Sequence, residues 1–177
     1  MEAPDEELML AYRGGDAGAF ETLYGRHRAR LFRFVLRGVK ARAVAEELYQ
    51  EIWMRVIEAR ASYTPTARFT TWLYTIAHHR LVDHWRRRGL AMDTLDDEDA
   101  ASGASDPAQE LEAREALRRF AASLESLPPA QREAFLLHEE AGLTVREIAL
   151  AMGCNEEAAK SRLRYAVAKL KAAFEGG

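Results

Sequence analysis

Residues 144–170 read TVREIALAMGCNEEAAKSRLRYAVAKL, and this stretch decides the class of the fold. Thr144 and Glu147 stand three apart at the head of an apolar run, the spacing of a capping box. There a hydroxyl and a carboxylate each satisfy a backbone N–H of the first helical turn. Ile148, Ala149 and Met152 follow on one face of a short helix. Gly153-Cys154-Asn155 forms a tight turn, with Asn155 placed to cap a second helix. Ala158, Ala159, Leu163, Val167 and Leu170 share the inner face of that helix, leaving Lys160, Ser161, Arg162 and Arg164 at or near its surface. A short helix, a turn containing glycine and a basic second helix make the helix-turn-helix pattern of DNA-binding proteins. Helix pairs joined by glycine turns are common, so the pattern needs support from the rest of the chain.

Upstream, Pro128-Pro129 starts a helix that runs through Glu140 and breaks at Gly142, and Asp106-Pro107 is a cap and first-turn pair for a helix to about Ser126. Residues 89–106 hold glycine, alanine, serine and acids without apolar periodicity, the composition of a flexible linker. The N-terminal half is helical as well. Pro4-Asp5 opens a short helix that stops at Gly14-Gly15, and Asp16 caps a longer one to about Gly38. The apolar face of the longer helix is Phe20, Leu23, Tyr24, Leu31, Phe34 and Val35. Arg26, Arg30, Arg33 and Arg37 line up on another face, either as a solvated surface or as a contact for phosphate or protein.

A third helix covers about Arg42–Arg60, with Val44, Leu48, Ile52 and Val56 in one apolar line. Glu47, Glu51 and Glu58 lie on another face, with Tyr49, Trp53 and Ile57 nearby. Acid beside large exposed aromatics is an interface composition, although Trp53 is equally readable as a core residue. Ser62–Arg68 is a loop around Pro65. The fourth helix, about Thr70–Arg88, turns Leu73, Ala77, Leu81, His84 and Trp85 to one side. Trp72, Thr75, His79, Asp83 and Arg86 lie on the other, before the run Arg86-Arg87-Arg88. Aromatic, hydrogen-bonding and cationic groups on one face suit stacking on bases and holding phosphate. The fold expected is all-α: two small helical domains, 1–88 and 107–177, joined by the acidic linker 89–106.

Charge agrees with that division. The net charge of −3 conceals a balance of +4 over residues 1–88, −8 over 89–115 and +1 over 116–177. Such asymmetry suggests a nucleic-acid partner. No apolar run is long enough to span a bilayer, the acidic start lacks the features of a secretory signal, and a single cysteine excludes an intrachain disulfide. A cytoplasmic protein without membrane insertion is expected.

Three stretches resemble the sigma-70 family, and specifically its extracytoplasmic-function (ECF) group. Ala45-Glu46-Glu47-Leu48-Tyr49-Gln50-Glu51-Ile52-Trp53 resembles the family's helix for RNA polymerase core. Phe69-Thr70-Thr71-Trp72-Leu73-Tyr74-Thr75-Ile76-Ala77-His78-His79-Arg80 resembles its helix for melting and reading the −10 promoter element. Leu127-Pro128-Pro129-Ala130-Gln131-Arg132-Glu133-Ala134-Phe135 with Leu143 to Leu163 resembles its reader of the −35 element. The resemblance implies an alternative sigma factor that directs promoter recognition and transcription initiation. It implies core-polymerase contacts at Glu46, Glu47, Tyr49, Gln50, Glu51 and Trp53. It implies −10 contacts at Tyr63, Arg68, Trp72, Thr75, His79, Asp83 and Arg86, with Tyr63 placed to stack on an extruded base. It also implies −35 contacts at Asn155, Glu156, Glu157, Lys160, Ser161, Arg162 and Arg164, and an anti-sigma factor among the partners. The acidic linker would thread a cationic channel of polymerase as a nucleic-acid mimic.

Two departures stand out. Thr75-Ile76 occupies the place where housekeeping members carry paired tryptophans, which suits the ECF group and implies weaker melting. Glu156-Glu157-Ala158-Ala159 replaces the usual Val-Gly-Thr-Val at the start of the recognition helix. Acids there repel phosphate unless they read a base such as cytosine through its N4 amino group.

Two other readings compete. A helix-turn-helix regulator acting without polymerase core shares the C-terminal pattern but leaves the acidic-aromatic helix unexplained. A metal enzyme could use His79 and Asp83, one helical turn apart, but no second ligand cluster appears. The isolated His27 and His138 do not supply one. Neither catalysis nor a metal or cofactor is therefore expected.

Overall fold

A computed structural model of the chain describes residues 1–89 and 108–175. Apart from Gly89, the linker and the Asp106-Pro107 helix start lie outside the described residues. Among those described are eight α-helices, one 3-10 turn and no strand. In chain order the helices are α1 (Asp5–Arg13), α2 (Ala17–Val39), α3 (Arg42–Ala59), α4 (Phe69–Arg87), α5 (Ala108–Ser126), α6 (Pro129–Glu139), α7 (Val145–Met152) and α8 (Glu156–Glu175). The all-α, two-domain architecture expected from periodicity is the one observed.

Local chemistry sets the boundaries. The Asp16 carboxylate accepts the Ala19 N–H at 3.3 Å and starts α2. At the other end of α2, Lys40 takes a φ of 68°, and the Ala41 N–H reaches back to the Val39 carbonyl at 2.8 Å. This γ-turn reverses the chain into α3 at a cost in backbone strain, because Lys40 carries a Cβ. The capping box is complete. Thr144 Oγ1 accepts the Glu147 N–H at 3.2 Å, and Glu147 Oε1 accepts the Thr144 N–H at 3.1 Å. Gly153 ends α7 in the left-handed region, at a φ of 66°. Asn155 Oδ1 then caps α8 by accepting the Ala158 N–H at 2.8 Å.

In the N-terminal domain the apolar stripes of α2, α3 and α4 meet. Leu23, Leu31 and Phe34, then Ile52 and Val56, then Phe69, Leu73 and Ala77 are all fully buried. Trp53 belongs to this core. Its indole is enclosed by Phe20, Tyr24 and Tyr49, with ring centroids 5.9, 5.0 and 6.4 Å away. The expectation that Trp53 touches polymerase is corrected accordingly, since aromatic burial claims the ring. In the C-terminal domain Leu127, Leu136, Leu137, Leu143, Ile148 and Leu170 form the core beneath the helix-turn-helix. The domains touch: α6 and α7 sit against α2 and α4.

Thr144→Ala removes one acceptor of the capping box and is expected to destabilise the chain by about 0.5–2 kcal/mol. Thermal unfolding should show a midpoint lower by a few degrees (on the order of 2–4 °C per kcal/mol for a chain this long). Arg146→Ala, on the exposed side of the same turn, should leave the midpoint unchanged.

Candidate polymerase and DNA interfaces

The outer face of α3 is a shallow acidic groove. Glu47, Gln50, Glu51, Met54, Arg55 and Glu58 line it together with Arg80 of α4. Glu46, Glu47 and Gln50 are exposed as expected. Glu51 is half-buried and ion-paired with Arg80, so it also ties α3 to α4. Tyr49 is half-buried against Phe32, with ring centroids 5.4 Å apart. Met54, which the sequence reading did not select, is exposed at the groove. An unbranched apolar side chain among carboxylates suits a partner that brings both cations and apolar surface.

The residues assigned to the −10 element are not all on one open surface. His79 and Arg86 are exposed, and Asp83 is half-buried beside Arg80 at 3.5 Å. The Thr75 hydroxyl donates to the Thr71 carbonyl at 2.6 Å. Trp72 is half-buried against Tyr63 and Phe69, with centroids 5.0 and 5.8 Å away. Tyr63 itself is only 1% exposed. Its ring fills a pocket between Phe69 and Trp72, so in this conformation it cannot stack on an extruded base, contrary to the expectation. A depression lined by Arg55, Ile76, His79, Arg80 and Asp83 lies on the outer side of α4 instead. Helical periodicity does not place Arg55 there, because it arrives from α3. His84 is half-buried. Burial, and after it the charge of Arg88, holds its imidazole below the usual range, which favours the neutral ring.

The short helix α1 supports this region, a part that the sequence reading did not assign to it. Arg68 at the N-cap of α4 offers no acceptor, and Glu6 of α1 takes that place by accepting the Phe69 N–H at 2.8 Å. Arg13 donates to the Tyr63 carbonyl at 2.8 Å, and Asp5 holds Arg26 and His27 at 2.9 and 2.8 Å. The loop before α4 is therefore pinned from outside. Glu6 stands in the acidic run Asp5-Glu6-Glu7, which gives no sequence signal for a partner 63 residues away.

In the helix-turn-helix, Asn155 is spent as the cap of α8. Glu156, Glu157, Lys160 and Arg164 are exposed, while Ser161 and Arg162 are half-buried. Glu156 faces Arg146 across the turn at 4.0 Å, an exposed and weak ion pair that leaves its carboxylate available. Glu147 is the most constrained acid here. Burial opposes its charge. The hydrogen bonds from the Thr144 backbone and from the Thr71 and Thr144 hydroxyls, with Arg68 nearby, outweigh burial and hold the carboxyl below its usual range. Among the described residues no group of His, Cys, Asp and Glu is arranged to hold a metal.

The model of sigma-70 region 2 matches residues 23–90, and that of region 4 matches residues 117–170. The RNA polymerase sigma factor CarQ of Myxococcus xanthus is 34% identical, over 92% of this chain and 93% of that one. The chain belongs to the sigma-70 family. The ECF RNA polymerase sigma factor SigK of Mycolicibacterium vanbaalenii, 32% identical over 88% of this chain and 82% of its own, places it in the ECF group. Among solved structures, CnrH in complex with the cytosolic domain of CnrY has a similar fold. Its TM-score is 0.73 at 23% identity, covering 97% of both chains. The sigma factor RpoE of Bartonella quintana, in complex with the anti-sigma factor NepR, aligns with a TM-score of 0.68 at 22% identity, over 88% of this chain and 96% of its own. In this sigma-70 family member the acidic groove and α4 lie within the region 2 match, and the helix-turn-helix lies within the region 4 match.

Glu6→Ala leaves the first turn of α4 without its acceptor and is expected to cost about 0.5–2 kcal/mol. Glu6→Gln keeps a carbonyl acceptor and should recover most of the loss in urea unfolding. Equal losses for the two would show that charge, and not the cap, carries the contact.

Proposed function

We propose that this chain is an alternative sigma factor: it binds RNA polymerase core and directs sequence-specific promoter recognition and transcription initiation. The observation that carries the reading is the order of parts in one chain. An acidic groove on α3 and a cation-bearing helix α4 lie in a region 2 match, and a complete helix-turn-helix lies in a region 4 match. A lone helix-turn-helix regulator needs only the last of these.

In this reading residues 1–88 carry core binding and the −10 element, and residues 107–177 the −35 element. Glu46, Glu47 and Gln50, with Tyr49 and Glu51 behind them, meet a basic helical surface of polymerase. Electrostatic complementarity there sets partner choice and association rate. Arg68, Trp72, Thr75, His79, Asp83 and Arg86 form the −10 side of α4. On α8 the first turns offer Glu156, Glu157 and Lys160 to base edges, while Ser161, Arg162 and Arg164 lie nearer phosphate. The work is binding and positioning, not bond chemistry by the chain's own side chains. It takes place inside the cell, where the promoter is. No helix among the described residues is long and apolar enough to cross a membrane. An anti-sigma factor is the partner proposed for control, as for the relative RpoE, which was solved in complex with one.

Run-off transcription with core polymerase on a promoter library tests the reading. Core plus chain should yield defined transcripts that neither gives alone. Failure to bind core, with sequence-specific DNA binding retained, would leave a regulator independent of polymerase.

Three substitutions separate the surfaces. Glu47→Lys reverses an exposed charge outside the Glu51–Arg80 pair and should weaken core binding with unchanged circular dichroism; an unchanged pull-down would remove α3 from the interface. Arg164→Ala should weaken all promoters alike and reduce the salt slope of binding by about one unit. Glu156→Ala should alter the preferred −35 sequence, with about 1–3 kcal/mol at stake for a lost base contact. A uniform gain in affinity would instead make Glu156 a repulsive bystander.

A further inference from the structure

We propose that α1 is a positioning clamp for the −10 side of α4. It holds the ring of Tyr63 inward as a prop against Trp72, and unpaired promoter DNA is captured through that pre-set geometry. The inference rests on the sigma-factor reading, which gives Trp72 its DNA partner. α1 itself lies outside the region 2 match, which begins at residue 23.

Contacts from α1 fix both ends of the segment 63–69. At the near end Arg13 donates to the Tyr63 carbonyl at 2.8 Å. Arg60 donates to the Tyr12 hydroxyl at 3.1 Å and stacks over the Tyr12 ring, while its carbonyl accepts the Tyr63 N–H at 3.3 Å. At the far end Glu6 accepts the Phe69 N–H at 2.8 Å. α1 is anchored in turn to α2. Asp5 accepts from the Arg26 guanidinium at 2.9 Å and pairs with His27 at 2.8 Å, and Met9 and Tyr12 are buried. The His27 ring packs on Phe69, with centroids 5.2 Å apart. Between the two fixed ends Thr64, Pro65 and Thr66 are exposed.

Tyr63 fits the role of a prop, and Trp72 that of the stacking ring. The Tyr63 ring lies 5.0 Å from Trp72 and 6.4 Å from Phe69 and is fully buried, whereas Trp72 is half-buried and keeps an open edge. The Tyr63 hydroxyl has no hydrogen-bond partner among the described residues. Burial, and after it the charges of Glu6 and Asp5, hold that hydroxyl above its usual range, so it stays neutral. A buried donor without a partner opposes burial. The hydroxyl therefore does not draw the ring inward. Aromatic packing holds it there, together with the α1 contacts to the backbone on either side.

Capture of an unpaired strand depends on such pre-setting. Unpaired bases stack on aromatic rings, and every side chain or loop that has to be ordered at the moment of binding subtracts from affinity. With the ends of the segment fixed and Tyr63 seated, Trp72 meets the strand without that loss. No group of α1 needs to touch DNA for this. The clamp therefore acts on the −10 strand alone and leaves binding of the −35 element by α8 unaffected.

The test uses the full chain, first alone and then with core polymerase. In the free chain Trp53 and Trp85 are 6% and 4% exposed, so acrylamide quenching of tryptophan fluorescence reports mainly on Trp72. Tyr63→Ala and Arg13→Ala should raise quenching clearly. Tyr63→Phe and Arg13→Lys, which keep the ring and the donor, should not, with circular dichroism unchanged throughout. With core, the probes are the unpaired non-template −10 strand and the −35 duplex of a promoter recovered from the library. Arg13→Ala should weaken binding of the strand by about two- to tenfold, the factor of one hydrogen bond, and leave the duplex unchanged; Arg13→Lys should restore the strand. Unchanged or tighter strand binding by Arg13→Ala would mean that Tyr63 has to leave its pocket, and would overturn the prop. Equal losses on both probes would reduce α1 to a brace for the whole fold and overturn its part in capture. Unchanged quenching would overturn the clamp itself. A chain that shows the expected quenching and never binds core would instead overturn the sigma-factor reading and leave the clamp geometry intact.

Discussion

The structure depends on one helix serving three neighbours at once. α4 buries Phe69, Leu73, Ala77 and Leu81 in the N-terminal core. It offers Thr71 and His78 to the C-terminal domain, and it leaves His79 and Arg86 in water. An amphipathic helix normally divides its circumference between core and solvent. The third demand forces small and polar residues onto the boundary. The cap of α4 comes from another helix, because Arg68, kept at the N-cap, cannot supply it. Loss of the Glu6 contact or of the α2–α4 stripe would disturb all three faces together.

Charge is distributed by the same logic. Glu46, Glu47 and Glu58 of the N-terminal domain face outward on α3, while Glu51 is paired internally with Arg80 and Asp5 with Arg26 and His27. Acids of the C-terminal domain that face the N-terminal domain are paired across the junction. The exposed pairs contribute little individually, about 0–1 kcal/mol each. Orientation is set by the buried Glu133–His78 pair, since a misplaced domain would leave Glu133 buried without its partner.

Much of this is legible in the sequence because helical signals are local. The capping box at Thr144–Glu147, the turn at Gly153, the Asn155 cap and the core stripes of α2, α3 and α4 each lie within a few residues, and all appear in the structure. What periodicity cannot show is which amphiphilic residue meets a neighbour from far along the chain. Trp53 and Tyr63 look like interface aromatics, yet Phe20, Tyr24, Phe69 and Trp72 surround them. His78 and Glu133 carry no signal of their pairing across 55 residues. Glu6, Met54 and Arg55 join the candidate sites only through the fold.

The central claim is that α3 meets polymerase through its acidic face. Hydrogen–deuterium exchange of the full chain, with and without core polymerase, tests it. The account expects slower exchange on binding over residues 46–58. Unchanged exchange over residues 46–58, with protection confined to α8, would contradict it.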